Sequence, residues 1–558
     1  MEAATAMPTW TVDPDGAHGE VFTRRWVVDL ILDLAGYRAA DDLGESVIVE
    51  PACGAGAFLV PILERLVESC ASHGRSLADM GRAIRAFDVL DRNVDAARGS
   101  VASRLVELGQ PTEVAESLSS QWVVQGDFLL GAGLNDSQEA DFVVGNPPYV
   151  RLEDVPSEVS AAYRSECPTM RGRADIYVGF FEKGLSMLGP EGRLAYICAD
   201  RWMHNQYGAR LRALVASEYA VDTVVVMHAV DAFEDTVSAY PAITVIRNGS
   251  QGTARVVETA DGFDASDGQI VARWLVDSDD VAPSEGRFEA GRLDRWFAGS
   301  GHWPSGSPGK LELIADLEER FDPLQDWRTD TRVGIGVATG CDEVFVVEDA
   351  PGVERGRLMP ILTAQDIASG APQWGGRFLV NPWEDGRLVD LEAYPGLASY
   401  LRRHSTKIKQ RHVARSRPTS WYRTIDRVDP ELQARPKLLL PDLKSAAHPV
   451  LDAGEFCPHH NLYYVVSGKW DLQVLGGLLL SDIANLFVGA YCVKMRGGTY
   501  RFQAQYLRKI RVPAPDAIDA STAAALTTAF RCRDRAAATA AAAALYGISR
   551  SDLLAAVA

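Results

Sequence analysis

The run Asp141-Phe142-Val143-Val144-Gly145-Asn146-Pro147-Pro148-Tyr149 carries an apolar strand pattern directly into a stiff polar turn. An exocyclic amino nitrogen such as that of adenine is a poor nucleophile, because its lone pair is delocalised into the ring. Two acceptors aimed at its hydrogens, the Asn146 side-chain oxygen and the Pro147 carbonyl, would favour a tetrahedral nitrogen and leave the lone pair pointing at an incoming methyl group. Pro147 and Pro148 fix the turn that holds both acceptors. Tyr149 offers a flat ring on which a base taken out of a duplex can stack. The plain alternative is a proline-stiffened loop with no chemistry.

A second constellation lies upstream. In Val47-Ile48-Val49-Glu50-Pro51-Ala52-Cys53-Gly54-Ala55-Gly56-Ala57-Phe58 a buried-strand pattern runs into a small-residue turn that lets backbone approach a nucleotide-like ligand, with the Glu50 carboxylate placed for a cationic amino group. A Gly-x-Gly turn alone is weak, since dinucleotide enzymes share it. Two later acids strengthen it. Asp88 follows the strand pattern Ile84 to Phe87, where it can accept from ribose hydroxyls, and Gln125-Gly126-Asp127-Phe128 offers a carboxylate for a purine amino group beside an aromatic ring. At successive strand ends of one sheet, these residues fit an adenosine pocket.

With Gly19-Glu20-Val21-Phe22-Thr23 ahead of the Gly-rich turn and Asn-Pro-Pro-Tyr behind it, the chain resembles the gamma-class, TaqI-like N6-adenine DNA methyltransferases of bacterial restriction-modification systems. The resemblance covers residues 17–250 and, more loosely, 331–513. It extends to Ala174-Asp175-Ile176-Tyr177, to Gly192 through Trp202 and to Phe233 through Ile246. It implies S-adenosylmethionine as cofactor, held by Phe22, Thr23, Glu50, Pro51, Ala52, Cys53, Gly54, Gly56, Asp88, Asp127 and Phe128. It also implies Asn146, Pro147, Pro148 and Tyr149 as catalytic residues, with Phe233 packing on the flipped base opposite Tyr149. The Glu50 to Asp88 spacing exceeds a minimal strand-helix-strand unit, so an extended helix or insertion is expected around Glu68 to Gly81. A protein-glutamine N5-methyltransferase and a DNA-specificity scaffold with an inactive methyltransferase fold are the competing readings. No cleavage by this chain is expected.

To position these residues the first 250 must alternate strands and helices. Apolar runs at Ile84 to Val89, Trp122 to Val124, Ala140 to Val144, Arg193 to Cys198, Val221 to Met227 and Ala242 to Ile246 predict an α/β, doubly wound, mostly parallel sheet of the seven-stranded methyltransferase type. Residues 251–330 read as a connector. Residues 331–513 read as a separate α+β target-recognition domain, with strand-like runs at Val344 to Val347, Arg377 to Val380, Lys437 to Leu440 and Asn461 to Val466, and residues 514–558 as a helical tail.

The net charge of −19 argues against nucleic acid as partner until its distribution is considered. From Leu401 to Ile425 there are Arg402, Arg403, Lys407, Lys409, Arg411, Arg415, Arg417 and Arg423, with no Asp or Glu and with Trp421 and Tyr422 interleaved. This window, with Arg496 and Arg501, is expected to contact the phosphates of double-stranded DNA. The eight scattered cysteines include no Cys-x-x-Cys pair, and Cys457-Pro458-His459-His460 reads as a loop, so neither a disulfide framework nor a metal site is expected. A cytoplasmic, nucleoid-associated protein is expected, monomeric on DNA, without a membrane span and with a possible separate restriction endonuclease as partner.

Overall fold

The computed structural model describes residues 21–131, 139–234, 240–276, 282–283, 286–492 and 498–557. The chain folds as two compact units that divide between Glu312 and Leu313.

The strands of the first unit are β1 (Ile48–Glu50), β2 (Ile84–Asp88), β3 (Val123–Gln125), β4 (Ala140–Gly145), β5 (Leu188–Ala199), β6 (Tyr219–Val226), β7 (Pro241–Asn248), β8 (Ala254–Thr259) and β9 (Phe288–Leu293). They form one sheet in the order β3-β2-β1-β4-β5-β7-β6-β8-β9. Pairing is parallel from β3 through β5, β7 runs antiparallel between β5 and β6, β8 is parallel to β6, and β9 closes the sheet antiparallel. Its helices are α1 (Arg25–Ala35), α2 (Leu59–His73), α3 (Asp91–Glu107), α4 (Thr112–Trp122), α5 (Ser157–Glu166), α6 (Tyr177–Ser186), α7 (Arg201–His204), α8 (Ala209–Glu218) and α9 (Ala265–Val276).

Both sheet faces are covered, which is why the strands are almost continuously apolar. Successive side chains leave for opposite faces: Ile48, Val144, Ala195 and Ile197 join the core under α1 to α4 and α9, while Val49, Val143, Leu194 and Tyr196 join the core under α5 to α8. The order reverses between β1 and β4, so the carboxyl ends of β1, β2, β3 and β4 open a crevice at one edge.

The structure corrects three expectations. The sheet has nine strands, not seven, because residues 254–293 supply β8 and β9. Residues 251–330 are therefore not a connector: they extend this sheet and then enter the second unit at Leu313. Their Gly, Ser and Pro clusters hid a strand whose apolar partners come from β6. The third concerns the C-terminus. Helices Ala520–Cys532 and Arg535–Tyr546 are not a separate tail, since Leu526, Phe530, Ala542 and Tyr546 are buried in the second unit's core with Leu475, Leu479 and Phe487. The long Glu50 to Asp88 spacing is taken up by α2, which runs to His73, and a 3-10 turn at Leu77–Asp79.

The second unit contains two four-stranded sheets. Strands Arg332–Ile335, Leu462–Val466, Lys437–Pro441 and Val450–Asp452 pair in that order, and Val346–Val347, Phe378–Val380, Leu358–Leu362 and Cys457–Pro458 form the other. Of the run Val344 to Val347, expected to be extended, Val344 and Phe345 end the helical turn Asp342–Phe345, and Val346–Val347 form a strand. No single helix among the described residues is long and apolar enough to cross a membrane. The buried Lys437 ammonium meets Asp452 Oδ2 at 2.7 Å and donates to the carbonyls of Gln433 and Arg435 at 2.8 and 3.1 Å. Removing one partner of such a pair strands a charge, so Asp452→Ala should cost about 3–5 kcal/mol in chemical denaturation. A loss below about 1 kcal/mol would show that the ammonium is solvated in the folded state.

Candidate active site

Four strand ends and one N-terminal segment line a single cleft of about 990 Å³, its open mouth included. Val21, Phe22 and Thr23 come from the segment before α1, Glu50 to Gly54 from the turn after β1, Asp88 and Asn93 from the end of β2 and the start of α3, Asp127 and Phe128 from the turn after β3, and Asn146 and Pro148 from the turn after β4. Pro147, Tyr149, Gly56 and Phe233 stand outside this lining, and Gly19 and Glu20 of the start motif lie outside the described residues.

The turn after β1 needs its glycines. Gly54 and Gly56 have φ of +51° and +96°, backbone that favours glycine. Asp88 fastens this turn: its Oδ2 accepts from the Gly54 amide at 3.0 Å, and its Oδ1 from the Leu90 amide at 2.9 Å and from Asn93 Nδ2 at 3.2 Å. Glu50 is different. Its Oε2 is buried with no hydrogen-bond partner among the described residues, and burial, followed by the neighbouring Asp88 carboxylate, pushes its carboxyl well above the usual range. Asp127 accepts from the Leu129 amide at 3.0 Å and from the Tyr163 hydroxyl at 2.7 Å; burial raises it against these bonds.

Asn146 is held by one end of its amide. Its Nδ2 donates to the Val21 carbonyl at 2.9 Å and to Thr23 Oγ1 at 3.2 Å, while its Oδ1 is buried without a partner among the described residues. Tyr149 meets Phe233 edge-on, with ring centroids 6.3 Å apart at 79°, and lies 6.5 Å from Tyr177. The two rings are nearly perpendicular and leave no parallel slot between them.

Tyr163, Tyr207 and His228, at this edge, had no sequence signal. Tyr163, on α5, reaches Asp127 from 36 residues away. Tyr207 donates to Asp175 at 3.1 Å and shares a hydrogen bond with Tyr177 at 2.7 Å. Buried Asp200, just past β5, bonds His228 Nε2 at 2.8 Å; burial opposes its charge, but His228 and His204 more than offset this and hold it below the usual carboxylate range.

The basic window, in the second unit, divides by burial. Arg402, Arg403, Lys409, Arg415 and Arg417 are exposed. Arg411 is not a surface cation: its guanidinium donates to the carbonyls of Ile408, Thr339, Trp421 and Arg423 at 2.7–3.1 Å. Four of its five N–H donors close the loop around it, which differs from the expectation of a cation free for phosphate contact. Trp421 and Tyr422 are half-buried against the local core, with the Tyr422 hydroxyl on the Val389 carbonyl. Lys407 pairs with Glu343, and Arg501 with Asp442. Arg496 lies outside the described residues. His459, His460 and Asp342 gather near one another, with His459 Nε2 on Asp342 Oδ2 at 2.9 Å.

A doubly wound sheet with a Gly-rich turn after its first strand and Asn-Pro-Pro-Tyr after its fourth defines a methyltransferase. More narrowly, the chain belongs to the Type II DNA methyltransferases of bacterial restriction-modification systems. It is 40% identical to the Type II methyltransferase M.XhoI of Xanthomonas vasicola over 96% of this chain and 98% of that one. It is 39% identical to M.BstVI of Geobacillus stearothermophilus over 90% and 91%. Residues 102–233 match the Eco57I restriction-modification methylase family. In fold, the chain is similar to the Type IIL restriction-modification enzyme MmeI, solved in complex with DNA, with a TM-score of 0.52 at 12% identity over 96% of this chain and 71% of that one.

Glu50 makes the ligand-free protein sensitive to pH. Its folded-state pKa lies above the unfolded one, so the folded state holds the extra proton and stability falls as pH rises from the ordinary carboxylate range toward the raised value. Glu50→Gln should remove this fall and melt higher than the parent at pH 8. Parallel melting curves for the two proteins from pH 4 to 8 would contradict the buried, unpartnered carboxyl.

Proposed function

We propose that this chain transfers a methyl group from S-adenosylmethionine to the N6 amino group of an adenine flipped out of double-stranded DNA. The observation that carries the reading is the Asn146 amide, with its donor end engaged by Val21 and Thr23 and its oxygen buried and unpartnered. A buried acceptor without a donor is costly and implies a donor brought by substrate.

The cleft fits the cofactor by its donor set. Phe22 and Thr23 would hold the methionine portion, Glu50 would offer its unpartnered oxygen to the cationic amino group, and Asp88, Asp127 and Phe128 would hold the adenosine. When bound, S-adenosylmethionine supplies a methyl carbon made electrophilic by its sulfonium. Asn146 Oδ1 and the Pro147 carbonyl accept the two amino hydrogens and draw the nitrogen toward tetrahedral geometry, which frees its lone pair. Tyr149 stacks on the base, and Phe233 packs against it once the two rings part. Pro148 keeps the turn rigid.

The second unit is proposed as the target-recognition domain. Arg402, Arg403, Lys409, Arg415 and Arg417 supply exposed charge for phosphates, and Arg417, Arg423 and His412 line a surface pocket with no carboxylate among its walls. The restriction-modification family supports a separate endonuclease as partner.

Asn146→Ala should slow methyl transfer by roughly a hundredfold or more while leaving cofactor affinity nearly intact, as measured by single-turnover assay and cofactor titration. Nucleoside mass analysis of the product should give N6-methyladenine; N4-methylcytosine as sole product would overturn the base assignment. In DNA titrations against salt, the double variant Arg415→Ala/Arg417→Ala should flatten the log-log slope by up to about 1.8, at ~0.9 for each lost phosphate contact. Arg411→Ala should instead destabilise the fold by about 1–3 kcal/mol, because it strands buried carbonyls. A parental salt slope in the double variant would remove the strip from the DNA interface.

A further inference from the structure

A carboxamide has nearly the same shape either way round, but its two ends have opposite hydrogen-bonding character. Turned by 180°, Asn146 would present its NH2 to the target amino group, donor against donor. The choice of end is therefore a condition for the chemistry proposed above, and something must impose it.

We infer that the segment Val21 to Arg24 is a positioning strap for the methyl-accepting half of the site. The Val21 carbonyl can only accept, so at 2.9 Å from the amide it requires Nδ2 on its side and turns Oδ1 toward the cleft. Thr23 Oγ1, 3.2 Å away and buried, is a second partner of Nδ2: its hydroxyl could serve either end of an amide, so the Val21 carbonyl makes the choice and Thr23 holds the amide in place. The same segment also reaches the other wall. Thr23 forms an antiparallel bridge with Phe233, the Arg24 amide donates to the Ala232 carbonyl at 3.0 Å, and the Glu234 amide donates to the Phe22 carbonyl at 2.9 Å. Arg24 Nε adds a bond to the Phe233 carbonyl at 2.9 Å, and its guanidinium meets Asp231 at 2.5 Å. One strap thus orients Asn146 with one edge and holds Phe233 beside Tyr149 with the other, while Phe22 and Thr23 line the cofactor cleft. Thr23 and Arg24 are positioning residues: they act on the target nitrogen and base through Asn146 and Phe233.

This inference rests on the methyl-transfer reading, and its test separates the two. Thr23→Val removes the hydroxyl at nearly constant shape, and Thr23→Ser restores it. With a synthetic duplex, single-turnover methylation by Thr23→Val should fall several-fold to roughly tenfold, the worth of one hydrogen bond. Because Thr23 also lines the cofactor cleft, the rate at saturating S-adenosylmethionine should fall further than the cofactor affinity does, and Thr23→Ser should recover most of the rate. Parental turnover in Thr23→Val, or a Kd that worsens in step with the rate, overturns the orienting role. Arg24→Ala tests the other edge without touching the cleft lining: with 2-aminopurine at the target position, the fluorescence gain on base extrusion should drop while cofactor affinity holds. An unchanged gain overturns the Phe233 coupling. A parent protein that methylates no DNA at all would instead overturn the proposed function.

Discussion

Two oxygen acceptors, Glu50 Oε2 and Asn146 Oδ1, are buried at one sheet edge with no partner among the described residues, and keeping them so is the constraint on which the site depends. Each unsatisfied buried group costs on the order of 1–3 kcal/mol, and any nearby donor that could swing across would quench it. Several nearby donors are committed elsewhere. The amides of Gly54 and Leu90 and the Asn93 side chain go to Asp88, the Tyr163 hydroxyl and the Leu129 amide go to Asp127, and the Asn146 NH2 goes to the start segment. The acids of the cleft thus divide their work: Asp88 and Asp127 organise backbone, and Glu50 is left with unspent acceptor capacity.

Parallel pairing from β3 to β5 makes this possible. It brings the carboxyl ends of four strands to one edge, and the reversal of order between β1 and β4 opens the crevice there. The apolar cores on both faces hold those ends in register, so that turns separated by dozens of residues share one cleft. The antiparallel β7 places Tyr240 and Pro241 at the same edge, beside the Asp200 and His228 pair.

In the second unit the same accounting of hydrogen bonds separates architecture from interface. Arginine is suited to either role, since its planar fork can hold several carbonyls or a phosphate. Arg411 spends its donors on four carbonyls, and Arg533 turns to the Pro449 carbonyl and His448. Exposed Arg415 and Arg417 stand beside them in sequence or composition but differ entirely in setting.

The sequence by itself determined the strand periods, the glycines with positive φ, the Asn-Pro-Pro-Tyr turn and the family; β2, β3, β4 and β7 fall within two residues of their apolar runs. These are local properties: periodicity, turn chemistry and residue type act over a few positions. Tertiary structure alone decided which groups are already spent. That Arg411 turns its donors to nearby carbonyls, that Tyr163 finds Asp127, and that Val21 selects the face of Asn146 each depend on partners 10 to 125 residues away. The same holds for Ala254–Thr259, whose weak apolar pattern becomes strand because β6 offers an open edge to β8. A donor's partner is fixed by where the chain returns, and a composition window carries no record of that return.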